Sequence, residues 1–450
     1  MSLIGRHVRR AQWGPWSSPI LLLSQDRRFP NLNFNRAFSA PAEIRPPHSP
    51  SSSTASTLRS ESASLDDLPR TNIYGLTYDE LSETLPQAVG KVPKYRMDQL
   101  WHSLYAQGVT TADGITNFSK SLRQRIAAHY SFTPGTVVQT QTSRVDHTTK
   151  LLIDLSGSPS QPSTTTAAAT ARRGLEKIEA VIIPDEERQT LCVSSQIGCS
   201  LNCAFCHTGT QKLLRNLTTA EIVGQVMLAI RQVKEFPVDL QNRTLKNIVF
   251  MGQGEPLYNY RQLRAAVQIL KDPKGLNFSP HRITVSTSGI VPLIPRVASE
   301  LEVTLAISLH AVTDELRNEL VPINKTYPLA QLLGACEDFV REAGRNNRRI
   351  TFEYVMLQGI NDSVDMAKQL VKLISTLPSH VNLIAFNPWP GTRFKSSDDA
   401  QIERFANILK ERGIQATIRW PKGQDIMAAC GQLRSNAILK QSAQLRPTQT

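Results

Sequence analysis

The chain has 450 residues, 40% of them hydrophobic, which is enough for a buried core of one large domain or two to three smaller ones. No stretch approaches the roughly 18–20 consecutive apolar residues of a membrane-spanning helix, so no membrane partner is expected. The formal charge of +13 favours a polyanionic partner.

Part of that charge lies at the start. Residues 1–42 hold six Arg, one Asp and no Lys or Glu, and removing them leaves about +8. An Arg-rich, acid-poor leader with Ser, Trp and Phe, lacking a continuous apolar core, reads as an organellar targeting peptide. Arg36-Ala37-Phe38-Ser39 resembles the arginine-guided cleavage site of plant mitochondrial presequences. The expected destination is the mitochondrion, with the chloroplast as the alternative; a basic tail without an address is the bland reading. Residues 43–72, rich in Ser, Pro and Thr, follow as a disordered linker.

Over 73–132 the pattern turns helical and predicts a small domain. Met97, Leu100, Trp101, Leu104 and Tyr105 recur at helical spacing, and Ser119 stands as a cap before a helix over 120–129. Residues 133–184 read as strands at 135–144, 150–155 and 179–184, with a Thr- and Ala-rich disordered loop over 156–171. From 185 to 436 short β-branched runs alternate with amphipathic segments. Strands are predicted at 191–194, 247–251, 282–286, 303–308, 350–356, 381–386 and 416–420. Helices are predicted at 219–233, 260–270, 329–341, 366–375 and 398–412. Repeated βα units require a parallel sheet covered by helices, with the site at the strand C-termini. The fold class is therefore α/β, a partial parallel (β/α) barrel behind a small N-terminal helical domain. Residues 437–450 are expected to be a flexible tail.

Four of the six cysteines, Cys192, Cys199, Cys203 and Cys206, lie within fifteen residues, a spacing that suits metal or redox chemistry. Cys199-x3-Cys203-x2-Cys206 offers three thiolates to a four-iron cluster and leaves one iron open. A structural zinc site would need a fourth ligand, and His207 is the one at hand. Cys336, among Leu332, Leu333 and Ala335, reads as core, and by itself Cys430 beside Ala428 and Ala429 reads the same way.

The cluster motif, with Met251-Gly252-Gln253-Gly254-Glu255-Pro256-Leu257, Ser286-Thr287-Ser288-Gly289, Ser308-Leu309-His310 and Ala428-Ala429-Cys430-Gly431-Gln432, carries a family resemblance. The chain resembles the radical S-adenosylmethionine enzymes and, more narrowly, the dual-specificity 23S rRNA and tRNA adenine-C2 methyltransferases, as a plant organellar member. The resemblance covers residues 77–433. It implies the radical SAM type of partial barrel, a [4Fe-4S] cluster on Cys199, Cys203 and Cys206, and two S-adenosylmethionine molecules per turnover. It further implies that Gly254 and Glu255 meet the methionyl amino group, while Ser286, Ser308, Leu309, His310 and Asn387 hold the ribose and adenine. Cys430 would carry the methyl group, Cys192 would resolve the adduct through a disulfide, and Glu179 would accept a proton.

The implied partners are large-subunit rRNA, tRNA and an electron donor such as flavodoxin or ferredoxin, acting on a monomer. Lys91, Lys94, Arg96, Lys120, Arg123 and Arg125 of the helical domain would meet RNA phosphates. An adenine-C8 methyltransferase and a non-catalytic zinc- or RNA-binding module remain open. The chain departs from the family pattern in the insertion at 156–171, in His207, which replaces a small residue, and in Trp420-Pro421-Lys422.

Overall fold

Ten strands make one sheet whose spatial order is the order of the chain. The computed structural model describes residues 70–157, 176–344 and 349–434, all in the unit Ala63–Thr450. The leader at 1–42, most of the linker, residues 158–171 of the expected loop and the tail at 437–450 lie outside the described residues.

Strands β1 (Thr136–Thr142), β2 (Thr149–Asp154), β3 (Lys177–Asp185) and β4 (Arg188–Cys192) pair antiparallel. From β4 onward every pairing is parallel: β5 (Leu245–Phe250), β6 (Ile283–Thr287), β7 (Thr304–Ser308), β8 (Ile350–Met356), β9 (Ser379–Ala385) and β10 (Gln415–Arg419). The strands that the sequence sets ahead of the barrel thus continue its sheet. Parallel neighbours need crossovers, and helices supply most of them.

Three helices precede the sheet: α1 (Tyr78–Val89), α2 (Lys94–Tyr105) and α3 (Lys120–His129). The crossovers are α4 (Thr219–Gln232), α5 (Tyr260–Lys271), α6 (Asp314–Leu320), α7 (Leu329–Ala343), α8 (Val364–Ile374) and α9 (Asp399–Glu411). Helix α6 is an addition to the sequence expectation; seven residues are too few for a periodic signal.

Helix α4 is capped by a reciprocal Thr218–Glu221 box and is buried almost all round, from Thr219 to Ile230. A helix apolar on every side must be covered on every side. The sheet covers one side and the N-terminal segment the other, with Gly75 packed against Ala220. The same core runs from Tyr74, Leu81 and Trp101 to Ile222, Val226 and Ile248. Trp101 Nε1 donates to Asp272 at 3.2 Å, and Lys274 pairs with Asp98 at 2.7 Å, fastening α2 to the loop after α5.

Register decides which side chains share the concave face. Val181, Cys192 and Val249 fall in one row, and Ser308, Glu353, Asn382 and Thr417 in another. The gap between β10 and the antiparallel edge is crossed by residues 420–434. Lys422 Nζ donates to the Pro184 carbonyl at 2.5 Å, Gly423 N–H to Asp146 at 2.7 Å, and Arg144 N–H to Asp425 at 3.2 Å. That crossing brings Cys430 back to the first barrel strand.

Candidate active site

The three motif cysteines sit on a loop closed at its base by a short antiparallel ribbon, Gln196–Ile197 against Arg215–Asn216. Gly198 opens the loop with φ of 81°, and a Cβ there would lie 2.2 Å from the Lys212 carbonyl oxygen, so no other residue fits. Cys206 N–H donates to the Cys203 carbonyl at 3.1 Å, turning the chain between them. Ala204 N–H donates to Leu320 O at 3.0 Å, and Trp389 Nε1 to Phe205 O at 3.0 Å. All three thiols are free and line one pocket, a cavity of about 160 Å³.

Burial pushes the Cys199 thiol up to about 11, Cys203 well above its usual range, and Cys206 upward as well. Thiols so desolvated ionise when a cation takes the sulfur, as a ligating iron does. Among the described residues no three of Cys, His, Asp and Glu converge as a single ion requires. Three thiols on one loop, all facing one pocket, are the donor set of an iron–sulfur cluster that keeps one iron open. His207 is engaged elsewhere: Nδ1 donates to Gln432 O at 3.2 Å, and Nε2 accepts from Arg434 at 3.1 Å. Neither nitrogen is left for zinc.

Beyond the cysteines the pocket wall is built from strand ends. Gly254 has φ of 94°, and a Cβ there would meet the Gln196 side chain at 2.5 Å. Glu255 is 2% exposed, accepting the N–H of Ser288 at 2.8 Å and of Leu257 at 3.1 Å. Burial raises its carboxyl to about 7, held back by those N–H groups. Among the described residues it has no cationic partner, and a substrate ammonium fits it. The hydroxyls of Ser286 and Ser308 stand 3.5 Å apart on the same wall. His310 lines the pocket; its Nδ1 accepts Val355 N–H at 3.0 Å, which puts the proton on Nε2. Leu309 turns its side chain into the core. Asn387 lines the pocket with its amide engaged, donating to Cys430 O at 3.2 Å and accepting from Gln424 at 3.0 Å.

Cys192 ends β4, and Cys430 follows 238 positions later. Cys192 packs with Val181, Ala428 and Leu433, so the segment bearing Cys430 lies directly on it. Burial, then the neighbouring Cys430, raises the Cys192 thiol to about 12. Cys430 opens onto the pocket; the enclosing protein pushes its thiol up, and Arg419 pulls it back. Both thiols are free. Cys336 is buried in the core on α7.

Glu179 lies on β3, 3% exposed, with both carboxylate oxygens engaged: Lys150 Nζ at 3.2 Å on one and Arg434 N–H at 2.7 Å on the other. Of the six basic residues in the helical domain, Arg96 and Arg123 spend guanidinium N–H groups on the carbonyls of Asn117 and Asp113. Lys91, Lys94, Lys120 and Arg125 stay exposed.

Two functional residues are absent from the sequence expectation. Arg317 is fully buried and donates to the carbonyls of Leu309, Ser288 and Ser308 and to the Asn324 side chain, at 3.0, 2.7, 3.1 and 2.9 Å. It locks two strand ends of the pocket wall, and nothing local separates it from a surface helix arginine. Glu353, 4% exposed, accepts from Asn382 at 2.8 Å and lines the pocket; its other oxygen is unpartnered. A carboxylate inside the apolar run of β8 was a usable signal.

Residues 193–371 match the Radical SAM superfamily. A protein of Rhodopseudomonas palustris (strain BisA53), named Dual-specificity RNA methyltransferase RlmN, is 48% identical over 379 residues, 82% of this chain and 90% of its own. The protein of that name in Parvibaculum lavamentivorans is 48% identical over 376 residues, 82% of this chain and 90% of its own. Among solved structures, a radical SAM methyltransferase from Sphaerobacter thermophilus is similar, with a TM-score of 0.71 and 43% identity. That similarity covers 81% of this chain and 99% of that one.

Proposed function

Because the chain belongs to the RlmN family of radical SAM dual-specificity RNA methyltransferases, we propose that it methylates C2 of an adenine in organellar large-subunit rRNA and in tRNA, through a methylated cysteine. The observation that carries this reading is the packing of Cys192 against the Cys430 segment, beside the pocket that Cys199, Cys203 and Cys206 line.

When bound on those three thiolates, a [4Fe-4S] cluster supplies the electron that splits S-adenosylmethionine, and so the radical chemistry an unactivated C–H demands. The chain's residues do the rest. Glu255 faces the ammonium of the bound S-adenosylmethionine, and Ser286, Ser308 and His310 line the wall for its nucleoside. Cys430 takes the methyl group of one S-adenosylmethionine as a thioether; a second is consumed in activating it. After the methyl carbon has joined C2 and the C2 proton has left, the resemblance offering Glu179 as acceptor, Cys192 attacks the Cys430 sulfur. An S–S bond forms and the sulfur–carbon bond breaks; the freed carbon takes the Cys192 thiol proton to become the methyl group, the unpaired electron returns to the electron carrier that supplied it, and methylated RNA departs. Flavodoxin or ferredoxin is the electron donor of this reading, and the Arg-rich leader directs a monomer to the mitochondrion.

The test is an asymmetry between two variants of the reconstituted enzyme. Cys430→Ala yields neither methylated protein nor methylated RNA, while the cluster persists. Cys192→Ala still methylates Cys430 and traps RNA on the protein, visible as a slow band on a denaturing gel. Normal turnover by either variant overturns the assignment, and 8-methyladenosine in place of 2-methyladenosine overturns the C2 target.

A further inference from the structure

Between Met427 and Arg434 the backbone carries no helix or strand, and local turns satisfy only some of its polar groups, among them the N–H groups of Met427, Ala428, Ala429 and Gln432; others depend on partners elsewhere in the protein. Thr208 Oγ1 donates to Leu433 O at 2.6 Å, and Asn387 to Cys430 O at 3.2 Å. The ends of the segment are held by one ion pair. Lys150 on β2 donates from Nζ to Met427 O at 3.2 Å and pairs with Glu179 Oε1, also at 3.2 Å. Glu179 on β3 accepts the Arg434 N–H on Oε2 at 2.7 Å. The pair therefore grips the chain three residues before Cys430 and four residues after it.

Lys150 and Glu179 are 6% and 3% exposed. Two buried charges persist only where geometry and further hydrogen bonds compensate their desolvation, and here the compensating bonds go to the segment itself. The platform is rigid, since β2 and β3 pair residue by residue from Thr149↔Ile182 to Asp154↔Lys177. Neither residue lines the pocket.

We propose that the buried Lys150–Glu179 pair is the dock that holds the Cys430 segment in register with the pocket. Both are positioning residues, acting on Cys430 through the backbone at 427 and 434. The role rests on Cys430 being the methyl carrier, and it precedes any proton transfer from RNA. A proton acceptor matters only after the methyl carbon has joined the base; a dock matters already when Cys430 is methylated.

The experiment uses the reconstituted full chain with S-adenosylmethionine and no RNA, following Cys430 methylation by mass spectrometry. Lys150→Met and Glu179→Gln slow that step by about tenfold to a hundredfold, the cost of a misplaced reacting group. Iron content stays near wild type, 5′-deoxyadenosine formation falls together with the methyl group it draws hydrogen from, and Lys150→Arg restores part of the rate. Hydrogen exchange across residues 427–434 rises in the first two variants, while exchange in the core strands does not, which also shows that they fold. Wild-type methylation of Cys430 in Glu179→Gln, with a block appearing only once RNA is added, overturns the dock. Unchanged exchange across 427–434 overturns it as well. A wild-type enzyme that never methylates Cys430 instead refutes the carrier role, and the exchange measurement then decides the dock by itself.

Discussion

Trp389 lies flat against His207, with 4.8 Å between ring centroids and 6° between planes. His207 follows the last cluster cysteine directly, and its backbone N–H donates to Gly431 O at 2.7 Å. An arginine can only donate, so Nε2 accepts from Arg434 and Nδ1 carries the proton given to Gln432 O. The His207 side chain thus joins the cluster loop to the Cys430 segment, beside the Thr208 hydroxyl on Leu433 O.

Replacing it loosens the segment from the other side. His207→Ala removes both ring contacts and the stack but keeps the backbone bond. Faster hydrogen exchange at residues 431–434 is expected, with slower methylation of Cys430 and unchanged iron content. Exchange identical to wild type would mean that the stack is incidental.

Cys203→Ala removes one of three cluster ligands from a loop tied down by Ala204 N–H to Leu320 O and by Trp389 to Phe205 O. The barrel should therefore fold, as circular dichroism would report, without a stable cluster. No 5′-deoxyadenosine should form under reducing, anaerobic conditions. Its appearance would refute the ligand assignment.

Arg317→Met keeps the aliphatic stem but takes the donor from the buried carbonyls of Ser288 and Ser308 and from the Asn324 side-chain oxygen, while the Leu309 carbonyl keeps the Ala311 N–H. Each orphaned acceptor costs about 1–3 kcal/mol, so urea unfolding should show a loss of about 3 kcal/mol or more. Arg317→Lys should recover little, because an ammonium cannot fork to four acceptors. A loss under about 1 kcal/mol would show that water reaches these carbonyls.

His310 is buried, and burial, with Arg317 nearby, pushes its pKa down to about 3, against an ordinary value of 6.5. Between those values the unfolded chain holds a proton that the native imidazole refuses. The stability contributed by its neutral form is full above pH 6.5 and is lost as pH falls toward 3. The slope should reach about 1.4 kcal/mol per pH unit. His310→Asn, which tolerates the φ of 62° at that position, should flatten the decline of the urea midpoint between pH 6.5 and 4. Parallel wild-type and variant profiles would place the acid-sensitive groups elsewhere.

Period and spacing made much of this protein legible. Strand β8 occupies the predicted 350–356, and α5 and α7 differ from their predicted limits by one and two residues, because apolar periodicity is local. The three motif cysteines face one pocket because the eight residues from Cys199 to Cys206 cannot carry them far apart. Glu353 was visible in principle as a charge within an apolar strand; Arg317 was not, because a helix of seven residues does not tell which face is buried.

The alternation of strands and helices, the cluster motif and the positive charge of residues 1–42 can all be read from residue order alone. Three meetings exist only once the chain is folded: Cys192 packs on the segment of Cys430, Lys150 and Glu179 grip that segment, and His207 ties it to the cluster loop. The reason is physical. Local patterns follow from backbone geometry over a few residues, whereas meetings across more than two hundred positions depend on where an irregular crossing segment finds partners for its backbone groups, and those partners come from strands and loops distant in the chain.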